Sequence, residues 1–417
     1  MNQAEESPYD LVIAGGGAAG FFAAIACAEV YSGARVCILE KGRRVLSKVK
    51  ISGGGRCNVT HACYDPKELV EYYPRGSKQL RGPFYHWAPA DTMEWFEAHG
   101  VALKVESDNR VFPQSDDSQT IIDCLINTAR RAKVEILTNT EILDAVAIPT
   151  RGFSLQISGG TSINTRNLVL SLGGIRNRIG AELATSLGHT VSDAAPSLFT
   201  FKIKDRRLDG LQGIAVPKSH VQVGKGLEAN GPVLITHWGL SGPAILRVSA
   251  WGARELKEKD YRFSVRINWC GDLSTEDALK QFQRLRKESP RRSILQDNQF
   301  NVPGRLWQRL AETAGIRSEQ KWPHLEKSVA EEFARQLCQC QFRVLGKSMN
   351  KEEFVTCGGV NLDEINFKTM ESRNTNGLYV VGELLDIDGI TGGFNFQAAW
   401  TTGHLAGIAI GKSLETD

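Results

Sequence analysis

No apolar run in the 417 residues reaches the ~18 needed to cross a bilayer. A surplus of one charge is also missing. Fifty Lys and Arg stand against 47 Asp and Glu, a formal net charge of +3, too small to argue for a nucleic-acid or membrane partner. The densest basic cluster, residues 284–292, is broken by Glu288 and Pro290 and reads as a solvated helix end. There is no internal repeat and no low-complexity segment. The cysteines number nine, odd and scattered, which predicts reduced thiols in a cytoplasm rather than a disulfide framework. No His/Cys cluster has metal-ligand spacing, and Cys338-Gln339-Cys340 has no matching pair, so no metal is expected. The apolar stretch 11–30 could be mistaken for a signal peptide, but it follows Glu5, Glu6 and Asp10 rather than lysine or arginine, so none is expected there. What is left is an ordinary globular composition, 41% hydrophobic and 23% charged, long enough for two or three domains.

Against that background one stretch stands out. Leu11-Val12-Ile13-Ala14 is a short apolar run, read as a buried parallel strand, and it feeds into Gly15-Gly16-Gly17-Ala18-Ala19-Gly20. An Ala-rich helix follows over 21–30, then a second strand over 34–39 that ends in Glu40. This is the βαβ unit of a dinucleotide-binding fold. Gly15 permits the tight turn, Gly17 admits a pyrophosphate, and Gly20 lets the helix pack on the strand. Ala18 and Ala19 open the helix, whose free N–H groups would hold the pyrophosphate. Glu40, 20 residues after Gly20, is placed to accept hydrogen bonds from an adenosine ribose, with Lys41 beside it.

Further along, Ser52-Gly53-Gly54-Gly55-Arg56-Cys57-Asn58 reads either as backbone that approaches something closely, with Arg56 facing an anion or a polar ring edge, or as a flexible surface loop. Helices are expected over 91–99, with Asp91 near the N-cap, and over 116–132. Strands are expected over 134–146, 153–157 and 168–172, the last ending at Gly173-Gly174, and a short helix over 181–187. From about 192 the pattern turns to short alternating strands (198–203, 215–223, 233–236, 261–269), an antiparallel sheet or barrel. Ser241 and Pro243 start a helix over 244–250. Residues 274–340 are helical, with Ser274 as a cap and a second amphipathic segment over 329–337. The last sixty residues return to the opening texture: a strand over 377–383 ending at Gly382-Glu383, then Gly389-Ile-Thr-Gly-Gly393-Phe-Asn395-Phe396-Gln opening a helix over 398–410. A helix N-terminus beside a glycine loop suits a site that must carry partial positive charge.

Taken in order, the fingerprint, Ser52 to Asn58, Arg110-Val-Phe-Pro113, Thr236-His-Trp-Gly-Leu-Ser-Gly-Pro243, Thr356-Cys-Gly-Gly-Val360 and residues 377–397 resemble a bacterial flavoprotein family. It is often described as FAD- or NAD(P)-dependent oxidoreductase and includes aminoacetone oxidase and a bile-acid ring reductase. The resemblance implies an α/β fold: a glutathione-reductase-type, Rossmann-like FAD domain (1–191 and 356–417) interrupted by a β-rich, barrel-like domain (192–272, with a return strand in 342–355) and a small helical domain (273–341). It implies that Gly15 to Gly20 hold the FAD pyrophosphate and Glu40 the ribose, with backbone near Ile142 pairing the adenine. Gly55, Arg56 and Cys57 would lie near the flavin, Gly382 and Glu383 near the ribityl chain, and Gly393, Asn395 and Phe396 by the isoalloxazine. One departure is visible. After Gly174 the chain runs through Ile175-Arg-Asn-Arg178 straight to the next helix, roughly ten residues short of the family's loop, which is expected to border the flavin cavity.

The leading expectation is an FAD-dependent oxidoreductase acting on a small organic molecule, with NAD(P)H as a transient electron donor at most, since no second strand–G-x-G-x-x-G–helix occurs. Nothing in the sequence sets an oligomeric state. A pyridine nucleotide–disulfide reductase would need a redox pair beside the flavin, but Cys63 follows Cys57 after five residues instead of four. A flavin-containing RNA-modifying or RNA-binding protein is opposed by the near-neutral charge. His237, between a strand and a glycine turn, is a candidate general acid or base, or else a buried structural histidine. Arg110 and Arg176 are candidates for orienting an anionic substrate, or else for surface ion pairs.

Overall fold

The computed structural model describes residues 9–176, 178–348 and 355–416. It divides into two units, one of residues up to 194 together with those from 355 on, the other of residues 195–354. In the first unit Leu11, Val12 and Ile13 are fully buried on β1 (Tyr9–Ala14), as a strand covered on both faces requires. β1 pairs in parallel with β2 (Val36–Glu40), Leu11 opposite Val36, and on its other side with Ser162–Leu170. Leu378–Val380 and Glu135–Thr138 extend the parallel core outward on either side, within a sheet of nine strands among the described residues.

The helix between β1 and β2, α1 (Ala18–Val30), is apolar all round and buried from Ala19 to Ala28, so it needs cover on every side. The C-terminal helix Phe394–Thr416 supplies part of it. Its glycines recur every fourth residue, and a Cβ at Gly403 or Gly407 would fall 2.3 or 2.4 Å from the carbonyl oxygens of Ala19 and Ala23. Backbone therefore touches backbone, and no side chain larger than hydrogen fits at the crossing.

The same helix carries His404, stacked on Trp87 with ring centroids 3.7 Å apart. Burial pushes its imidazole down to about 4. Above pH 6.5 the ring is neutral in both folded and unfolded chains. Below that the unfolded chain takes up a proton the folded one refuses, so stability falls between about pH 6.5 and 4, by a total on the order of 3 kcal/mol. His404→Phe should keep the stack and flatten that part of the pH dependence of Tm. A Tm that drops as steeply in the variant as in the parent over this range would absolve His404.

The second unit is built on a closed barrel, ordered Thr200–Ile203, Gly239–Ser241, Leu227–Thr236, Ala215–Val223, Phe263–Asn268 and Cys340–Ser348, with every described pair antiparallel. The helices Thr275–Glu288, Gly304–Thr313 and Lys327–Cys338 bury Phe282, Trp307 and Phe333 in the same apolar core as the barrel residues Val265 and Ile267. Ser274 caps the first of them, its Oγ accepting from Asp277 N at 3.0 Å.

Several expected boundaries shift for local reasons. Asp91 sits inside the helix Pro89–Ala98, its carboxylate accepting from Ala88 N at 2.7 Å, because Pro89 takes the first helical position. The helix after Pro243 is entered from Gly242 at φ +96 rather than from Ser241. The helix expected over 181–187 begins earlier, as Arg178–Ser186. The strand expected over 377–383 stops at Val380, and Gly382–Leu384 turns into a short 3-10 helix.

Candidate dinucleotide site

The site begins where β1 hands over to α1. Gly15 takes φ +108, and a Cβ there would press 2.6 Å from the Ser171 carbonyl oxygen. Gly20 has its back to the strand, with a Cβ 2.3 Å from Gly15 O. Gly17 is different. It caps α1 in an extended conformation with no side-chain cap, and a Cβ built on it meets nothing within 4 Å. No acidic residue occupies the first turn of α1. The N–H groups of the first turn, with the positive end of the helix dipole, are thus left to a cavity.

That cavity measures about 340 Å³, within the roughly 300–1,000 Å³ of small-molecule sites. Gly15, Gly17, Ala18 and Ala19 line it, as do Glu40 and Lys41 at the end of β2, Ile142, Gly382, Glu383, Asn395 and Phe396. Glu40 is held rigidly: its Oε2 accepts from Gly16 N at 3.0 Å and its Oε1 from Gly42 N at 2.8 Å. The carboxylate has lone pairs to spare beyond these two bonds. Lys48, on the short helix Ser47–Ile51, also lines the cavity and is paired with Glu383. In the sequence Lys48 is one of five basic residues between 41 and 50, with nothing local to single it out.

The start of the C-terminal helix is locked in place from outside the cavity. Tyr73 OH donates to Phe394 O at 2.6 Å, and Tyr72 and His61 each stack on the Phe394 ring at 4.5 Å. Thr60 Oγ1 donates to Gln397 Oε1 at 2.6 Å, and Trp400 Nε1 to Val59 O at 2.9 Å. Asn395 closes the glycine loop with a reciprocal pair of bonds to Gly389, 2.8 and 2.9 Å. With its amide turned to suit its neighbours, Asn58 donates to the carbonyls of Val111 and Thr60 and accepts from Gly393 N at 3.0 Å.

This locking explains where the Ser52–Asn58 segment goes. Gly53, Gly54 and Gly55 all take positive φ (+57, +69 and +87), and a Cβ at Gly53 would fall 2.8 Å from Asn58 N. It is a tight left-handed turn, not an open loop. Gly20, Gly55, Arg56, Cys57 and Gly393 do not line the cavity. The Arg56 guanidinium lies over the Phe112 ring at 3.9 Å and pairs with Glu106 (2.7 Å) and Asp116 (3.4 Å). Gly393 packs against Thr60, where a Cβ would come within 2.5 Å of its backbone. Cys57 is fully buried and its thiol is pushed up to about 12 by that burial. Burial likewise raises the Cys63 thiol, so neither sulfur is a ready thiolate for disulfide exchange.

Of the remaining candidates, Arg110 is engaged by Asp108 at 2.7 Å and Glu106 at 3.0 Å, and Arg176 is exposed. His237 is not a buried structural histidine. It is exposed in the tight turn between Leu227–Thr236 and Gly239–Ser241, in the barrel unit. Among the described residues no group of three or more His, Cys, Asp or Glu side chains is arranged to hold a metal, and no helix is long and apolar enough to cross a membrane.

Two curated relatives align over nearly their whole length. The 3-dehydro-bile acid delta(4,6)-reductase of Clostridium scindens is 30% identical over 406 residues, covering 95% of this chain and 98% of the relative. The ribosomal RNA dihydrouridine synthase of Escherichia coli is 30% identical over 404 residues, covering 94% and 96%. Among solved structures, a 3-ketosteroid-delta4-(5alpha)-dehydrogenase from Rhodococcus jostii superposes with a TM-score of 0.53 at 14% identity, covering 98% of each chain. A flavocytochrome c3 fumarate reductase superposes with 0.51 at 16% identity, covering 98% of this chain and 79% of that one. These distant likenesses establish the fold. Matched from residue 9 to residue 409 by the HI0933-like protein Rossmann domain, the chain belongs to that family.

Proposed function

We propose that this chain is an FAD-dependent oxidoreductase that reduces a carbon–carbon double bond conjugated to a carbonyl. The observation that carries the reading is the cavity itself: an uncapped helix N-terminus with open space at Gly17, and a carboxylate fixed at the end of β2. Only a ligand with both an anionic centre and a polyol uses both. Gly15, Gly17, Ala18 and Ala19 would hold a pyrophosphate, Glu40 and Lys41 the adenosine end with Ile142, and Gly382 and Glu383 the ribityl chain. Asn395 and Phe396, on the start of the C-terminal helix, would bound the isoalloxazine. Gly20, Gly55, Arg56, Cys57 and Gly393 would act one layer out, by fixing the two helix starts. Bound FAD would supply two-electron hydride chemistry. The positive end of the C-terminal helix dipole favours negative charge developing there.

The relatives' names support the bond type. A delta(4,6)-reductase of a 3-dehydro bile acid and a dihydrouridine synthase both saturate a C=C that a carbonyl activates toward hydride. A small organic enone is the first substrate class to test. A uracil ring in ribosomal RNA is the second, favoured by the two relatives that carry that name and opposed by the net charge of +3. NADH or NADPH would reach the flavin through the open cavity, since the described pairings of residues 195–354 are antiparallel and supply no second βαβ unit. The nine cysteines, odd in number and scattered, support a reducing, cytoplasmic location.

The test is anaerobic. Purified protein should carry FAD, identified after denaturation, and its dithionite-reduced form should be reoxidised by a 3-oxo-Δ4 steroid or a smaller enone, with a product heavier by two hydrogens. Reoxidation by ribosomal RNA alone would move the substrate to the uracil reading. Release of FMN, or reoxidation only by oxygen, would sink the proposal.

A further inference from the structure

Two ion pairs flank the cavity. Lys41 Nζ lies 4.0 Å from Glu141 Oε1 near the end of β2, and Lys48 pairs with Glu383. The second pair spans the glycine turn. Leu46 N donates to Gly16 O at 2.8 Å, which seats the short helix bearing Lys48 against one side of that turn. On the other side a Cβ at Gly382 would come 3.0 Å from Ala19 Cβ, so Glu383 follows a residue packed on the first turn of α1. The Lys48 ammonium lies 3.3 Å, and the Glu383 carboxylate 4.0 Å, from where a Cβ on Gly173 would be. Cation and carboxylate thus reach from separate segments of the wall and meet beside Gly173, in the cavity that Gly17 and Ala18 also line.

Electrostatics make this pairing more than a surface contact. A free carboxylate at this point would oppose the helix dipole and repel an anion from the turn. With Lys48 on it, the local charge is balanced while no anion is present. The side chains are 65% and 31% exposed, so the pair is screened and costs little to separate. Lysine suits exchange better than arginine would, being a compact charge on a flexible stem with no fixed fork geometry.

We propose that Lys48 is an exchangeable counter-ion. It holds Glu383 while the turn carries no anion, shifts to the phosphate oxygens of a dinucleotide that binds there while staying close enough to balance the carboxylate, and frees Glu383 lone pairs to accept from hydroxyls of the same ligand. The proposal rests on the dinucleotide reading of the cavity.

FAD affinity of the apoprotein, read by quenching of flavin fluorescence, tests it with Lys48→Met, Glu383→Gln and the double variant. Lys48→Met keeps the apolar stem and should weaken FAD about 30-fold, with a shallower dependence on salt. In the Glu383→Gln background the same replacement should cost more than in the parent, because there Lys48 gives up no partner on binding. An equal penalty in both backgrounds, or a Kd for Lys48→Met within about threefold of the parent's, overturns the exchange. Both side chains are partly exposed, and thermal melts of the apoproteins check that folding is retained. If the parent itself takes up no FAD, the cofactor reading fails. If the parent binds FAD but the cycle is additive, only the exchange fails.

Discussion

Replacing Asp388 with alanine should lower the stability of the protein by about 3–5 kcal/mol, the usual cost of removing one member of a buried ion pair. Arg75 Nε and Nη2 each meet one carboxylate oxygen of Asp388, a two-pronged pair in which the side chains are only 11% and 1% exposed. The two residues also form an isolated antiparallel bridge through their backbones. Next to them Gly76 takes φ +82 with a Cβ position 2.5 Å from Ile387, so the strip 75–76 lies flat against 387–388. This strip tethers the loop that leads to Asn395 and Phe396 on the cavity wall. Urea melts should show the loss as a lower midpoint. The double replacement Arg75→Met with Asp388→Leu should recover much of it, since apolar groups then replace both members of the pair. A melt of Asp388→Ala within about 1 kcal/mol of the parent would show that the buried pair contributes little.

The second large effect separates two glycines of one motif. Gly17→Ser should leave the apoprotein as stable as the parent, because the added Cβ meets nothing within 4 Å and serine is a good N-cap. FAD affinity should nevertheless fall by at least about 100-fold, some 2.7 kcal/mol, since the new atoms occupy the space a phosphate oxygen needs. Gly20→Ala should do the opposite. Its Cβ would fall 2.3 Å from Gly15 O and 2.7 Å from Ser171 Oγ, so the strand–helix contact must open, at about 1–3 kcal/mol. Apoprotein Tm and FAD Kd, measured on both variants, give a crossed pattern. A Gly17→Ser protein that binds FAD within about fivefold of the parent would remove the pyrophosphate from the α1 turn.

The glycine turn, the two strands around it and Glu40 were legible because each answers to local chemistry. A strand covered on both faces must be apolar throughout, and a backbone that touches a neighbour must be glycine. The barrel was legible as short alternating strands for the same reason, and the helices beside it by their apolar period. Boundaries slipped where a single Pro89 or Gly242 decided the first turn, which pattern alone does not weigh.

The place of Arg56 was not legible. In sequence it follows three glycines and looks aimed at a ligand. In the fold Glu106, Asp116 and the Phe112 ring surround it, and all three come from residues at least fifty positions away. Lys48 shows the converse. Its neighbours in sequence make it one basic residue among several, and only the packing of Gly382 against Ala19 brings Glu383 to it across more than three hundred residues. Local sequence determined where the backbone must turn tightly and which carboxylate ends β2, because those depend on sterics within a few residues. Which charges face the cavity and which are neutralised behind it was decided by tertiary structure alone, because a charge is assigned by its nearest opposite partner in space.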